Sequence, residues 1–322
     1  MSNYKSTILI TGGTAGLGYH TAKSIAKQCP DRLVVVASRN NTDNASASLN
    51  AALGQKNVEY MPLDLSDPER IRSFAEDYRQ RAYPPISALM LNAGLQFPGK
   101  VDFYPTGIER TFAVNHVGGS LLFFLLMPHL ADNARIILTS SGTHDPEAGT
   151  GMPGPEYTTP ENAARPNPAK VTKDGRVRYT TSKLCNIMWT YALGRRITEH
   201  GKHWTVNAVD PGFVPETGLA RDYPPLLRFV AQKVLPNILP LLRLLMRTNN
   251  IYTAKQASAF LAELAVGDEV AGVNGKYFSE KKTISSSKES YDKGKQEDLW
   301  SWTIKELAKD EQERQRFERL EA

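Results

Sequence analysis

Five short, β-rich apolar runs recur in the first half of the 322-residue chain: "TILIT" (7–11), "RLVVVAS" (32–38), "VEYMPLD" (58–64), "ISALMLNAG" (86–94) and "ARIILTSS" (134–141). Runs this short, with little polar alternation, suit strands that are buried on both faces, as in a parallel sheet covered by helices. Between them lie stretches of helical length. Ala22, Ile25, Ala26 and Cys29 repeat at i, i+3, i+4, i+7 and mark a core-facing helix, and further helices are expected at 67–81 and 106–129. Alternation of this kind predicts an α/β fold, a doubly wound parallel sheet of the Rossmann type.

The first turn of that pattern carries chemistry. "TGGTAGLG" (11–18) follows a strand and opens a helix, with Gly12, Gly16 and Gly18 in the spacing T-G-x-x-x-G-x-G. Glycines there permit a tight turn and close approach of a pyrophosphate to the positive end of the helix. Glycines also serve plain turns, and it is the strand before and the helix after that point to a nucleotide. At the end of the second strand an acid would bind ribose hydroxyls, whereas an arginine accommodates a 2′-phosphate. Ser38 and Arg39 stand in that place, so the expected cofactor is NADP(H).

Composition excludes other classes. A net charge of +5 without a Lys/Arg run or interleaved aromatic stripe argues against nucleic-acid binding. Two cysteines, Cys29 and Cys185, lie in apolar-periodic stretches and are expected to be buried, reduced thiols in a cytoplasmic protein. The six histidines show no metal-ligand spacing, so no metal is expected. The start, "MSNYKSTILITGG", runs straight into a strand pattern rather than a secretory signal.

Three stretches depart from the alternation. Residues 142–178 are rich in Gly, Pro, Thr and Asn and read as a long functional insertion. Residues 221–247 are apolar but carry Arg228, Lys233, Arg243 and Arg247, and Pro236 and Pro240 interrupt them too often for a membrane span. Residues 281–322 form a charged extension, helix-prone from 288 and anchored by Leu299, Trp300 and Trp302. The stretch 115–129, "NHVGGSLLFFLLMPH", is apolar nearly all round and must be buried, in the core or against a partner subunit.

"RYTTSK" (178–183) places Tyr179 and Lys183 at i and i+4, neighbours on one helical face. A solvated pair would explain these two alone. Together with "TGGTAGLG", "DL" (64–65), "NAG" (92–94), "VNHVGG" (114–119), "TSSG" (139–142) and "DPGFV" (210–214), in this order, the chain resembles the short-chain dehydrogenase/reductase family from about residue 5 to 280. The interval between Ser141 and Tyr179, with "LW" at 299–300, resembles the protochlorophyllide-reductase-like and retinol-dehydrogenase-like branch.

The resemblance implies roles. Tyr179 is the general acid, Lys183 lowers the phenol's pKa, Ser141 hydrogen-bonds the substrate oxygen and Asn115 holds a proton-relay water. Cofactor contacts fall to Gly12, Gly16, Leu17, Gly18, Ser38, Arg39, Asp64, Leu65, Asn92, Ala93, Gly94, Tyr179, Lys183, Pro211, Gly212 and Val214. Glu216 replaces the family's usual threonine, which makes Thr217 the candidate for the carboxamide contact, as in the "TTGL" of one subgroup.

The implied activity is NADPH-dependent reduction of a ketone or related carbonyl on a bulky hydrophobic substrate, with the reverse oxidation open to the same residues. Reduction of an activated C=C bond, or a non-redox ligand-binding role on the same scaffold, are the alternatives. The region 213–247 stands where the family has its substrate lid. A packed helix pair over the core, or weak membrane association through 221–247, are other readings of it. Family members commonly pair through the region of 115–129, so a homodimer is expected.

Overall fold

The computed structural model describes residues 4–41, 43–215, 235–246 and 248–321. Eight strands form one sheet in the order β3-β2-β1-β4-β5-β6-β7-β8. They are β1 Thr7–Thr11, β2 Leu33–Ser38, β3 Val58–Pro62, β4 Ile86–Leu91, β5 Leu130–Thr139, β6 Thr205–Asp210, β7 Lys276–Ser279 and β8 Lys282–Thr283. Every pairing is parallel except the short β7–β8 hairpin. The order reverses beside β1, where β2 and β4 flank it, so the carboxyl ends of β1 and β4 open a crevice.

The strand period sorts side chains to two helical layers. Ile8, Ile10, Val34 and Val36 face α1 (Gly16–Gln28), α2 (Ala45–Leu53) and a later helix, Ala254–Val266. Leu9, Val35, Leu89 and Ile136 face α3 (Pro68–Gln80) and the elements that follow it. Those begin with α4 (Arg110–Phe112), a π-turn (Ala113–Val117) and α5 (Gly118–Leu126). The helix expected at 106–129 thus starts at Arg110, where the Glu109 side chain accepts from Phe112 N and caps it. The stretch Arg110–His129 is apolar enough to cross a membrane, but 89% of its apolar window is buried within the fold.

The insertion contains a short helix, α6 (Pro160–Ala164), and ends earlier than expected. Asp174 accepts from Arg176 N, and α7 (Gly175–Glu199) starts there, one turn before Tyr179. Beyond it lie α8 (Leu239–Met246) and α9 (Ala254–Val266), then α10 (Lys293–Leu307) and α11 (Glu311–Glu318). Residues 216–234, most of the 221–247 stretch, lie outside the described residues.

The C-terminal extension covers the apolar helix at 115–129. Phe317 stacks on Phe124 at 4.5 Å between ring centroids, and Trp300 stacks on Trp189 of α7 at 6.0 Å. Arg72 of α3 binds both carboxylate oxygens of Glu313, at 2.7 and 2.8 Å, and the carbonyl of Leu307 at 2.8 Å. Leu299 and Trp300 are buried as expected, whereas Trp302 is half-buried against Phe112. Cys185 is buried, but Cys29 is only half-buried, because it caps the end of α1 rather than continuing its inner face.

Candidate active site

The crevice is floored by the glycine turn. Thr11 ends β1, and Gly12 turns the chain at φ +68°. A β-carbon on Gly18 would stand 2.3 Å from the carbonyl oxygen of Gly12, so only glycine lets α1 start this close to the strand. Asn92 holds the turn from beneath: its backbone N donates to Thr11 Oγ1 at 3.0 Å and its Nδ2 to Thr11 O at 2.9 Å.

The first turn of α1 has no side-chain cap and no acidic residue. Helices α3, α7, α9, α10 and α11 are capped by Asp67, Asp174, Thr253, Asp292 and Asp310. The open N–H groups of α1 face the crevice and suit a pyrophosphate. This glycine cradle and uncapped helix end fit a nicotinamide dinucleotide.

One cavity of about 920 Å³ runs from there across the carboxyl edge of the sheet. Gly12, Gly16, Leu17, Gly18, Ser38, Arg39, Asp64, Leu65, Asn92, Ala93 and Gly94 line one half. Ser141, Tyr179, Lys183, Pro211, Gly212 and Val214 line its middle. Asp64 is held by Ser66, whose N and Oγ donate to its Oδ1 at 3.0 and 2.7 Å. Thr217 lies outside the described residues.

The π-turn carries Asn115, which does not line the cavity but sits one layer behind Gly94. Its Oδ1 accepts from Leu95 N at 2.7 Å, and its Nδ2 faces Leu95 O at 2.9 Å and Ser182 Oγ at 3.0 Å. The side chain thus fixes the "NAG" segment against α7. A β-carbon on Gly94 would lie 3.4 Å from Lys183 Nζ and 3.7 Å from Asn115 Oδ1, so the two groups flank the same glycine.

Of the two serines that follow β5, Ser140 is turned inward and donates to the carbonyl of Lys183 at 2.9 Å. Ser141 is the half-exposed one, beside Tyr179. Lys183 Nζ donates to Thr139 O at 2.8 Å and lies 5.5 Å from the centre of the Tyr179 ring. Burial lowers the Lys183 ammonium to about 8, opposed by the charge of Asp210.

Burial pushes the Tyr179 phenol well above its ordinary value; Asp210 adds to that and a hydrogen bond to Ser141 opposes it. The lowering expected from sequence belongs to the complex, where the oxidised nicotinamide acts together with Lys183, whereas desolvation dominates in the cofactor-free site. Tyr179 is a protonated phenol there at neutral pH, as a proton donor must be.

Sequence reasoning passed over Asp210, His144, Tyr277 and Arg178. Asp210 closes β6 and lines the cavity, with Oδ1 accepting from Gly212 N at 3.0 Å and Oδ2 from Asn250 Nδ2 at 2.7 Å. An acid at the carboxyl end of a parallel strand was the available signal. His144 and Tyr277 belong to no local motif, and Arg178 opens "RYTTSK" but finds its partner Glu109 only through the fold.

Known proteins resemble this chain. The short chain dehydrogenase family profile matches residues 6–152, and that of the AcuH dehydrogenase domain matches 219–314. The polyprenol dehydrogenase of Danio rerio is 30% identical over 300 residues, spanning 91% of this chain and 83% of its own. The chloroplastic protochlorophyllide reductase of Pisum sativum is 30% identical over 240 residues, 70% of this chain and 59% of its own. A Serratia marcescens short-chain dehydrogenase/reductase superposes with a TM-score of 0.61 at 20% identity, covering 87% of this chain and 97% of that one. With the glycine turn, the Ser141–Tyr179–Lys183 constellation and these relatives in agreement, the chain belongs to the short-chain dehydrogenase/reductase family, on the side of its protochlorophyllide-reductase-like members.

Proposed function

We propose that the protein is an NADPH-dependent reductase of a ketone or related carbonyl on a bulky, largely hydrophobic substrate. The observation that carries this reading is the convergence of Ser141, Tyr179 and Lys183 midway along one cavity. On one side, at the ends of β1 and β2, lies the glycine cradle with Arg39, and on the other, beyond β5, a chamber bordered by Met152, Phe213 and Ile284. Arg39 at the end of β2, where no acid stands, favours a 2′-phosphate and so NADPH. Two relatives are named for polyprenol and protochlorophyllide, which fits a roomy, apolar-mouthed chamber.

NADPH, when bound, supplies the hydride that the carbonyl carbon takes up. Ser141, which lines the cavity, donates from Oγ to the carbonyl oxygen and stabilises the charge that develops there. Tyr179 gives its phenolic proton to that oxygen, and the Lys183 ammonium stabilises the phenolate left behind. Asn115 keeps the segment between them in place.

The test is NADPH consumption over a panel of apolar ketones, aldehydes, quinones and enones, with products identified and Tyr179→Phe run alongside. Carbonyl turnover that disappears in Tyr179→Phe is the expected result. Products reduced only at C=C, or NADPH binding without turnover, would replace this reading with the ene-reductase or ligand-binding alternative.

A further inference from the structure

Beyond the reacting group, the chamber has a polar floor. β6 and β7 pair with Ala208 opposite Tyr277 and Asp210 opposite Ser279. Alternate residues of paired strands share a face, so Asp210, Ala208 and Tyr277 all point to the α7 side, where Ile187 packs on Ala208 and Tyr277. The register thereby sets the Asp210 carboxyl group beside the Tyr277 ring, next to Ser141: a β-carbon on Gly142 would lie 3.0 Å from Asp210 Oδ2.

Tyr277 is 2% exposed and lines the cavity, and its hydroxyl has no hydrogen-bond partner among the described residues. His144, whose ring meets the Tyr277 ring edge-on at 5.0 Å between centroids, has both ring nitrogens engaged. Nδ1 is 2.7 Å from Ser141 O, and Nε2 accepts from Ser287 N at 3.0 Å. Asp210 is only partly used, since each carboxylate oxygen has two acceptor positions and each here accepts one hydrogen bond. A buried phenol with an idle donor beside an acid with idle acceptors is costly unless something fills the gap.

We propose that Asp210 and Tyr277 form a second polar subsite, which binds a hydroxyl group carried by the substrate away from its reacting carbonyl. A hydroxyl accepts from Tyr277 and donates to Asp210 at once, whereas an ether or second carbonyl only accepts. The substrate class is then a hydroxylated, otherwise apolar carbonyl compound. This deepens the carbonyl-reductase reading and rests on it for the identity of the reacting group.

The experiment titrates 1-tetralone and its ring-hydroxylated isomers calorimetrically into the protein with excess NADP⁺, for wild type, Tyr277→Phe and Asp210→Asn. At least one hydroxylated isomer is expected to bind about 10-fold or more tightly than 1-tetralone, because a site built for a hydroxyl rejects the analogue lacking it. Tyr277→Phe should bring that preference to within about 2-fold and leave 1-tetralone affinity unchanged. It should also melt, without ligand, no lower than wild type, since it removes an unpaired hydroxyl.

Hydroxylated isomers that bind no better than the parent, a preference that survives Tyr277→Phe, or a clear fall in Tm would each overturn the subsite. NADPH oxidation by the same proteins and ligands, with NADPH in place of NADP⁺, separates the two ideas. A binding preference without turnover sinks the reductase reading alone, and turnover without preference sinks the subsite alone.

Discussion

Lys183 and Thr139 are bound at 2.8 Å, Nζ to carbonyl oxygen, while Ser140 Oγ returns a bond to the carbonyl of Lys183 at 2.9 Å. These two contacts clamp α7 to the end of β5 and hold the ammonium in a buried position, where its pKa falls to about 8. Tyr179 keeps its proton far above that. The reductive kcat/KM is therefore expected to be level near neutral pH and to fall above about 8 as Lys183 loses its charge. Lys183→Met should be slower by roughly 10²-fold and lack that limb. A pH–rate profile of both proteins decides it; an unchanged alkaline limb in the variant would assign it to another group.

Arg39 is exposed at the end of β2 and lines the cleft with Ser38. A charge-assisted hydrogen bond to a phosphate contributes about 1.5–3 kcal/mol. Arg39→Ala should thus raise the KM for NADPH by roughly 10- to 100-fold and leave that for NADH nearly unchanged. Steady-state kinetics with both cofactors provides the comparison, and equal effects on the two would remove Arg39 from 2′-phosphate recognition.

How far the sequence reached depended on the range of each signal. The strands of β1, β2 and β4, the glycine turn and the Tyr179–Lys183 pair were legible because each is encoded by period or spacing within a few residues. The start of α7 at Gly175 was missed because a Gly/Pro-rich stretch hides the Asp174 cap. Phe317 on Phe124 joins residues far apart in the chain, and no local pattern announces it. Asp210 and Tyr277 meet only through the β6–β7 register, which hydropathy does not specify. The buried 115–129 helix was read correctly as needing a cover; which surface supplies it could be seen only in three dimensions.

His116, next to Asn115, bridges α7 and the extension: its Nδ1 is 3.3 Å from Asn186 Oδ1 and its Nε2 is 3.1 Å from Thr303 Oγ1. Burial lowers its pKa from 6.5 to about 4. Between those values the unfolded chain binds the proton and the folded one does not, so stability rises with pH and is lost on acidification from about 6.5 toward about 4. At about 1.4 kcal/mol per unit, the loss is on the order of 3 kcal/mol. Urea unfolding at a series of pH values should show a shallower acid slope in His116→Gln by about one proton. Parallel slopes would place the acid sensitivity elsewhere.

Arg178, immediately before Tyr179, forms a buried ion pair with Glu109 at 3.2 Å. It also donates to the carbonyls of Gly99 at 2.6 Å and Thr172 at 3.3 Å, while Glu109 caps α4 through Phe112 N at 2.8 Å. Removing one partner of a buried pair leaves an uncompensated charge, at a cost of about 3–5 kcal/mol. Arg178→Met should destabilise by that order, and adding Glu109→Gln should recover part of it, because the amide still accepts from Phe112 and needs no counter-charge. Burial already raises the Glu109 pKa above its ordinary value, and losing Arg178 removes an opposing charge. The folded single variant then binds more protons than the unfolded chain, so its deficit should shrink as pH falls from about 8 to about 5. Urea unfolding of wild type, single and double variants at both pH values tests this. If the double variant is no more stable than the single, and the deficit does not change with pH, the loss comes from the carbonyls that Arg178 joins rather than from the charge it neutralises.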